Sequence, residues 1–156
     1  MINKDLVFVN STTKTQDEVL HTISQKAYQM DLLTDINKFI DAVMEREKEF
    51  STAVGFGIAI PHGLSHSVKE AFIAFVKPEK SIEWGNDKRK VDLIFLIGVP
   101  AEKKDILHLK FISQISKYLM KEEFREHLRS CQNGNEAFDY LDKINKNIEE
   151  ELKCLS

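Results

Sequence analysis

The run Gly57-Ile-Ala-Ile-Pro61-His62-Gly63 sets one imidazole between a proline and a glycine at the end of a short apolar stretch. Pro61 stiffens the approach, and Gly63 lets the backbone come close to whatever the ring carries. An exposed histidine at a strand end suits three tasks: general base, metal ligand or nucleophile. His66 completes a His-x-x-x-His spacing with His62, which on a helix would put both rings on one face. Here the pair follows a strand, is split by glycine, and its loop holds neither cysteine nor carboxylate. The spacing loses that meaning, so His66 reads as a solvent-facing loop residue and no metal site is expected. His108 is placed differently. At about 100° per residue, Ile112, Ile115 and Leu119 fall within about 40° of it on one helix face. His108 therefore belongs to a buried stripe. Either it is a core histidine bonded to a carbonyl, or it points to the strand ends, where His62 lies and ligands of open sheets gather. Two histidines converging there without a metal suit the handling of phosphate.

Other templates fail. Gly55-Phe-Gly57 starts like a dinucleotide fingerprint, but Ile60 stands at the third glycine position. There is no Gly-Lys-Ser/Thr loop, no Gly-x-Ser-x-Gly elbow and no His-Glu-x-x-His pair. No cofactor is expected.

The elements that must hold these residues follow from periodicity. Leu6 to Val9 reads as a short strand near a sheet edge. Thr15-Gln-Asp-Glu18 reads as a capping box, opening a helix that carries Val19, Ile23, Ala27 and Met30 on one face. A second helix follows Thr34, with Ile36, Phe39, Ile40 and Val43 inward and Arg46 near its C-terminal end, where a cation complements the helix dipole. Phe56 to Ile60, Ala71 to Val76 and Val91 to Val99 read as strands, the last two apolar on both faces and so covered by helices on each side. The helical period returns from about Lys103 to Met120. Another short helix spans about Glu122 to Ser130 and stops near Asn133-Gly134, a left-handed cap. An amphipathic C-terminal helix carries Phe138, Leu141, Ile144, Ile148, Leu152 and Leu155. The expected fold is α/β, a single domain over residues 1–156 with a mixed sheet sandwiched between helices.

The 156 residues carry 22 Lys and Arg against 25 Asp and Glu, a net charge of −3, which offers no clustered positive surface for nucleic acid. With 42% hydrophobic residues the chain can bury a core, and no 18-residue apolar run exists to span a membrane. The start, Met1-Ile-Asn-Lys-Asp-Leu, lacks the long apolar segment of a signal peptide, and Cys131 and Cys154 are too few for a disulfide scaffold. A cytoplasmic protein with reduced thiols is expected.

Taken together, Arg46-Glu47, Ser51-Thr52 and Gly55-x-Gly57-Ile-Ala-Ile-Pro-His62-Gly63 resemble the enzyme IIA domains of the fructose–mannitol type. Those domains belong to the bacterial phosphoenolpyruvate-dependent sugar phosphotransferase system. The resemblance continues through Ser81-Ile-Glu-Trp84, Val91 to Pro100 and His108-Leu, covering about residues 4–142, with the C-terminal helix running on to about 155. It implies a phosphohistidine relay. His62 would accept a phosphoryl group from phosphorylated HPr, on Nε2 as in the family, and pass it to a IIB component serving the membrane component IIC. His108 and Arg46 match family residues lining that site, expected to stabilise the phosphoryl charge. The backbone of Gly63 is expected to touch phosphoryl oxygens, and Phe56 and Leu64 to form an apolar rim for the protein partners.

Phosphoryl transfer asks for in-line positioning and for donors that spread charge. His62 must attack as neutral imidazole, its other nitrogen donating a proton, for instance to a backbone carbonyl. Three further readings stay open. A nitrogen-type regulatory IIA homologue would share the histidine chemistry without sugar transport. A metal-dependent hydrolase would use His62, His66 and His108 as ligands. The C-terminal helix either packs on its own core or buries itself in a dimer, so monomer and dimer are both allowed. Relatives commonly show Thr-Gly, then Gly-Asn-Gly, before Ile-Ala-Ile-Pro-His; Ala53 and Phe56 depart from that pattern.

Overall fold

The structure, a computed structural model, describes residues 2–103 and 106–154, without the side chains of residues 103, 106–109, 111 and 152. Among the described residues, the helices are α1 (Gln16–Gln29), α2 (Ile36–Glu49), α3 (Ile106–Leu119), α4 (Glu122–Ser130) and α5 (Gly134–Cys154). The strands are β1 (Ile2–Ser11), β2 (Ala53–Gly55), β3 (Ile58–Ala59), β4 (His62–Ser65), β5 (Phe72–Pro78), β6 (Ile82–Trp84), β7 (Arg89–Val91) and β8 (Leu93–Pro100). The main sheet runs β1-β5-β8-β3-β2, with β4 continuing beyond β3 along β8, while β6 and β7 form a separate hairpin. Pairing is mixed: β1 lies parallel to β5, β5 antiparallel to β8, and both β3 and β4 parallel to β8. The α/β class read from the sequence is the observed one, and β1 is an edge strand as expected.

All eight residues of β8 are buried, which its two-sided apolar sequence requires of a strand covered on both faces. Alternation divides them. Leu93, Phe95, Ile97 and Val99 join Ile73 and Phe75 of β5 in a core with Ile115, Leu119, Phe124, Leu128, Leu141, Ile144 and Ile148 from α3, α4 and α5. Ile94 and Leu96 join Phe72, Ala74 and Val76 in a second core with Val19, Ile23, Phe39 and Val43 from α1 and α2, closed by Ile82, Trp84 and Val91 of the hairpin. Ile144 and Ile148 thus pack in cis on the sheet, while Leu155 lies outside the described residues.

Local chemistry sets several boundaries, not all where the pattern put them. Thr15 caps α1 by accepting from the Glu18 N–H at 3.1 Å, but the Glu18 carboxylate takes the N–H of Lys14, at 2.7 Å, rather than that of Thr15. Asn133-Gly134 does not close α4. Cys131 ends that helix in extended conformation, and Asn133 opens α5 by accepting from the Glu136 N–H at 3.0 Å. The Glu136 carboxylate again reaches one residue back, to the N–H of Gln132 at 2.9 Å. An Asn-Gly pair suits either side of a helix boundary, and here the Asn side chain decides. Val91 belongs to the hairpin, not to β8; Asp92 separates them, held by a paired Arg129.

Candidate active site around His62

The expected strand from Phe56 to Ile60 is broken. Gly55, Phe56 and Gly57 have φ of 101°, 57° and 77°, so the chain turns there and Phe56 sits at a hairpin tip between β2 and β3. Beyond it, Ile58 pairs with Leu93, Ala59 with Ile94 and His62 with Ile97, one continuous parallel register along β8. Ile60 and Pro61 interrupt that ladder, though the Pro61 carbonyl still accepts from the Ile97 N–H at 3.0 Å. His62 therefore begins a strand partway along β8 instead of ending one. By strand alternation its side chain shares the side of Ile58, Ile60 and Leu64.

The imidazole is half-buried, and its Nδ1 lies 3.0 Å from the Ile60 carbonyl. A carbonyl oxygen only accepts, so Nδ1 carries the proton and Nε2 the lone pair. Burial pushes the ring's pKa below its ordinary 6.5; the bond to Ile60 opposes this, the Arg46 charge adds to it, and the Glu47 charge opposes it. His62 is accordingly a neutral imidazole of fixed tautomer at neutral pH, the form a nucleophile needs.

Arg46, on the last turn of α2, serves two ends. Its Nη1 donates to the Phe50 carbonyl at 2.9 Å, a helix-terminus contact, and its charge is felt at His62. Gly63 is explained by packing: a Cβ there would stand 2.8 Å from Val43 Cγ2 and 3.1 Å from Phe39 Cε1, so only glycine lets α2 lie on β4. A contact with phosphoryl oxygens is not needed to account for it. Leu64 is 41% exposed and two residues from His62 on the same strand side. Phe56 is 59% exposed at the hairpin tip. Its carbonyl accepts from Arg129, which also pairs with Asp92 at 2.8 and 2.9 Å, and its ring lies 4.1 Å under the Arg125 guanidinium. From Asp92 to Ile97 along β8, at about 3.3 Å per residue, is about 16 Å. Phe56 thus lies near the start of β8, away from the point partway along it where His62 pairs.

His66 is exposed and pairs with Glu102 at 2.7 Å, a carboxylate supplied from beyond its own loop, and that bond holds the Glu102 pKa down. His108 lies in the first turn of α3, whose Ile115 and Leu119 are buried as the stripe requires, but its side chain lies outside the described residues. The expected meeting of His108 with His62 falls there too. Sequence reasoning assigned no role to Glu47, Thr52, Trp84 or Phe50. The first three form a buried hydrogen-bonded group next to the site, and Phe50, 77% exposed, follows the helix end that Arg46 ties down. Glu47, Thr52 and Trp84 stand in the segments that carry the resemblance, but their mutual contacts, made only by folding, are not legible in the sequence.

Comparison with known proteins adds a frame. The family model described as "Phosphoenolpyruvate-dependent sugar phosphotransferase system, EIIA 2" matches residues 1–144. The fructose-specific EIIA component of Haloferax volcanii is 30% identical over 141 residues, 90% of this chain and 91% of that protein. The 2-O-alpha-mannosyl-D-glycerate-specific EIIABC component of Escherichia coli is 26% identical over 144 residues, 91% of this chain but 22% of that protein, so this chain spans about a fifth of its length. Among solved structures, the nitrogen regulatory protein IIA-Ntr from Neisseria meningitidis superposes with TM-score 0.80 at 23% identity, covering 90% of this chain and 95% of that one. The E. coli complex of mannitol IIA with phosphorylated mannitol IIB gives 0.75 at 17%, covering 92% and 99%. At such identities the structures speak for the fold. The model match over most of the length, joined to a neutral histidine held in one tautomer, leads to one conclusion: the chain belongs to the EIIA 2 family of the phosphoenolpyruvate-dependent sugar phosphotransferase system.

Proposed function

We propose that this chain is a phosphoryl carrier in which Nε2 of His62 takes the phosphoryl group from a phosphorylated HPr-type donor and hands it to a IIB component during sugar uptake. The single observation that carries this reading is the Nδ1–H bond to the Ile60 carbonyl at 3.0 Å, which leaves the lone pair on Nε2. In the forward step a P–N bond forms at Nε2 as the bond to the donor breaks, and the donor leaves with that electron pair. Nδ1 keeps its proton throughout, so no proton needs to move at this ring before the reverse chemistry delivers phosphorus to the IIB nucleophile. Arg46 and His108 are the proposed charge-stabilising groups. Leu64, with Phe50 added from the structure, is the proposed apolar rim. The Gly63 amide and Phe56 are secondary candidates for phosphoryl and partner contact.

The fructose-specific name of the H. volcanii relative supports transport over a regulatory role, since the IIA-Ntr likeness is one of fold alone. Action on the cytoplasmic side beside a IIC membrane component is part of the proposal; among the described residues, no helix is long and apolar enough to cross a membrane. So is a single domain over residues 1–156, supported by Ile148, which lies beyond the family match yet is buried in the same core. The test is transfer of labelled phosphate from phosphorylated HPr. The unaltered chain takes up label and His62→Ala takes up none while keeping its circular dichroism; label retained by that variant overturns the assignment.

A further inference from the structure

Two hydrogen-bonded chains cross at Thr52. On its side-chain side, the Trp84 indole Nε1–H donates to Thr52 Oγ1 at 3.0 Å, and that hydroxyl spends its one proton on Glu47 Oε2. Glu47 Oε1 accepts the Thr52 backbone N–H at 2.9 Å. On its main-chain side, the Thr52 carbonyl accepts the Ile60 N–H at 2.9 Å, and the Ile60 carbonyl accepts Nδ1–H of His62. Trp84, Thr52 and Glu47 are 0%, 3% and 8% exposed. Burying a carboxylate and an indole N–H is costly unless each is bonded, and Thr52 is the residue that satisfies both. Thr52 is therefore fixed by three bonds through its hydroxyl and N–H, and its carbonyl in turn holds the N–H of Ile60, the residue whose carbonyl faces His62.

We infer that Thr52, clamped by Glu47 and Trp84, is a positioning residue that sets which ring nitrogen of His62 carries the proton, and hence which one can carry phosphorus. The inference rests on the phosphoryl-carrier reading for its consequence, though not for its geometry. An unrestrained neutral imidazole favours the proton on Nε2, which would block attack from that atom. Only an acceptor held at the right place reverses the preference, and the Ile60 carbonyl is held through Thr52. A merely structural clamp would affect stability without moving the ring proton.

The experiment reads the ring nitrogens of His62 by ¹⁵N NMR in the unphosphorylated 156-residue chain, alongside label uptake from phosphorylated HPr. Thr52→Val keeps the shape and removes the hydroxyl. It is expected to shift His62 toward the Nε2–H form and to slow uptake roughly tenfold, the order of one lost hydrogen bond. Thr52→Ser restores the hydroxyl and is expected to recover the Nδ1–H form. A folded Thr52→Val with unaltered nitrogen shifts overturns the inference. If that variant does not fold, Trp84→Phe, which removes the indole N–H donor along with part of the buried ring, decides: a smaller shift in the same direction supports the inference, and none in the folded variant overturns it. Because the nitrogen shifts are read without phosphate, an unaltered chain that takes up no label would sink the carrier reading, while shifts that still move in Thr52→Val would leave the positioning role standing.

Discussion

At His62 the acid–base chemistry has a definite sign. Burial disfavours the charged imidazolium, so the folded protein binds this proton less readily than the unfolded chain does. The stabilisation linked to that difference is present in full above the unfolded value near 6.5 and is lost as pH falls through the lowered folded value. Phosphoryl acceptance should follow the same titration, holding steady from neutral pH downward past 6.5 and falling with a midpoint below it. NMR titration of the ring gives the expected low midpoint; a midpoint at or above 6.5 would contradict the burial argument. What could be read of this residue in advance was its type and its setting between Pro61 and Gly63. The acceptor on Ile60 could not, because it appears only where the strand ladder lapses.

Among the elements, α2 and β4 show how closely packing and chemistry are tied. Gly63 has no room for a Cβ under Val43 and Phe39, so Gly63→Ala should cost on the order of 1–3 kcal/mol, as overpacking does. Chemical denaturation reads this as a lower midpoint with little change in slope, and a variant as stable as the parent would show that α2 yields easily. Helices were the most legible elements. Val19, Ile23 and Ala27 repeat at the helical period, and α4 runs over the residues its sequence suggested. Strands in the middle third were less so. Phe56 at positive φ carries no turn signal of its own, so the hairpin tip and β3 looked like one apolar strand from Phe56 to Ile60, and β2 was not read. The Thr52–Trp84 bond joins residues 32 apart in the chain, beyond any local pattern.

Over the whole molecule, two cores share one sheet, and few polar ties cross between its helices and its hairpins. Arg129 of α4 is one of them, gripping Asp92 with two bonds and Glu126 with another while it donates to the Phe56 carbonyl. Asp92→Ala would leave that guanidinium half-buried with its main partner gone. A loss of about 1.5–3 kcal/mol is expected, the range for bonds to charged groups. Hydrogen exchange should quicken at residues 55–57, and unchanged exchange there would mean the hairpin holds itself. His62 would keep its setting, since it pairs with Ile97, further along β8.

The short strand β4 has a consequence for colloidal behaviour. Among the described residues it hydrogen-bonds to one neighbour, β8, so it forms an outer margin of the sheet while also carrying His62, the proposed phosphoryl carrier. Such margins invite copies of a chain to zip together into aggregates. Four residues give little template for growth, and His62 turns its ring back onto the Ile60 carbonyl, occupying an acceptor that a stray strand could have used. Accessibility to the right proteins and resistance to self-assembly are thus reconciled at one brief stretch of backbone.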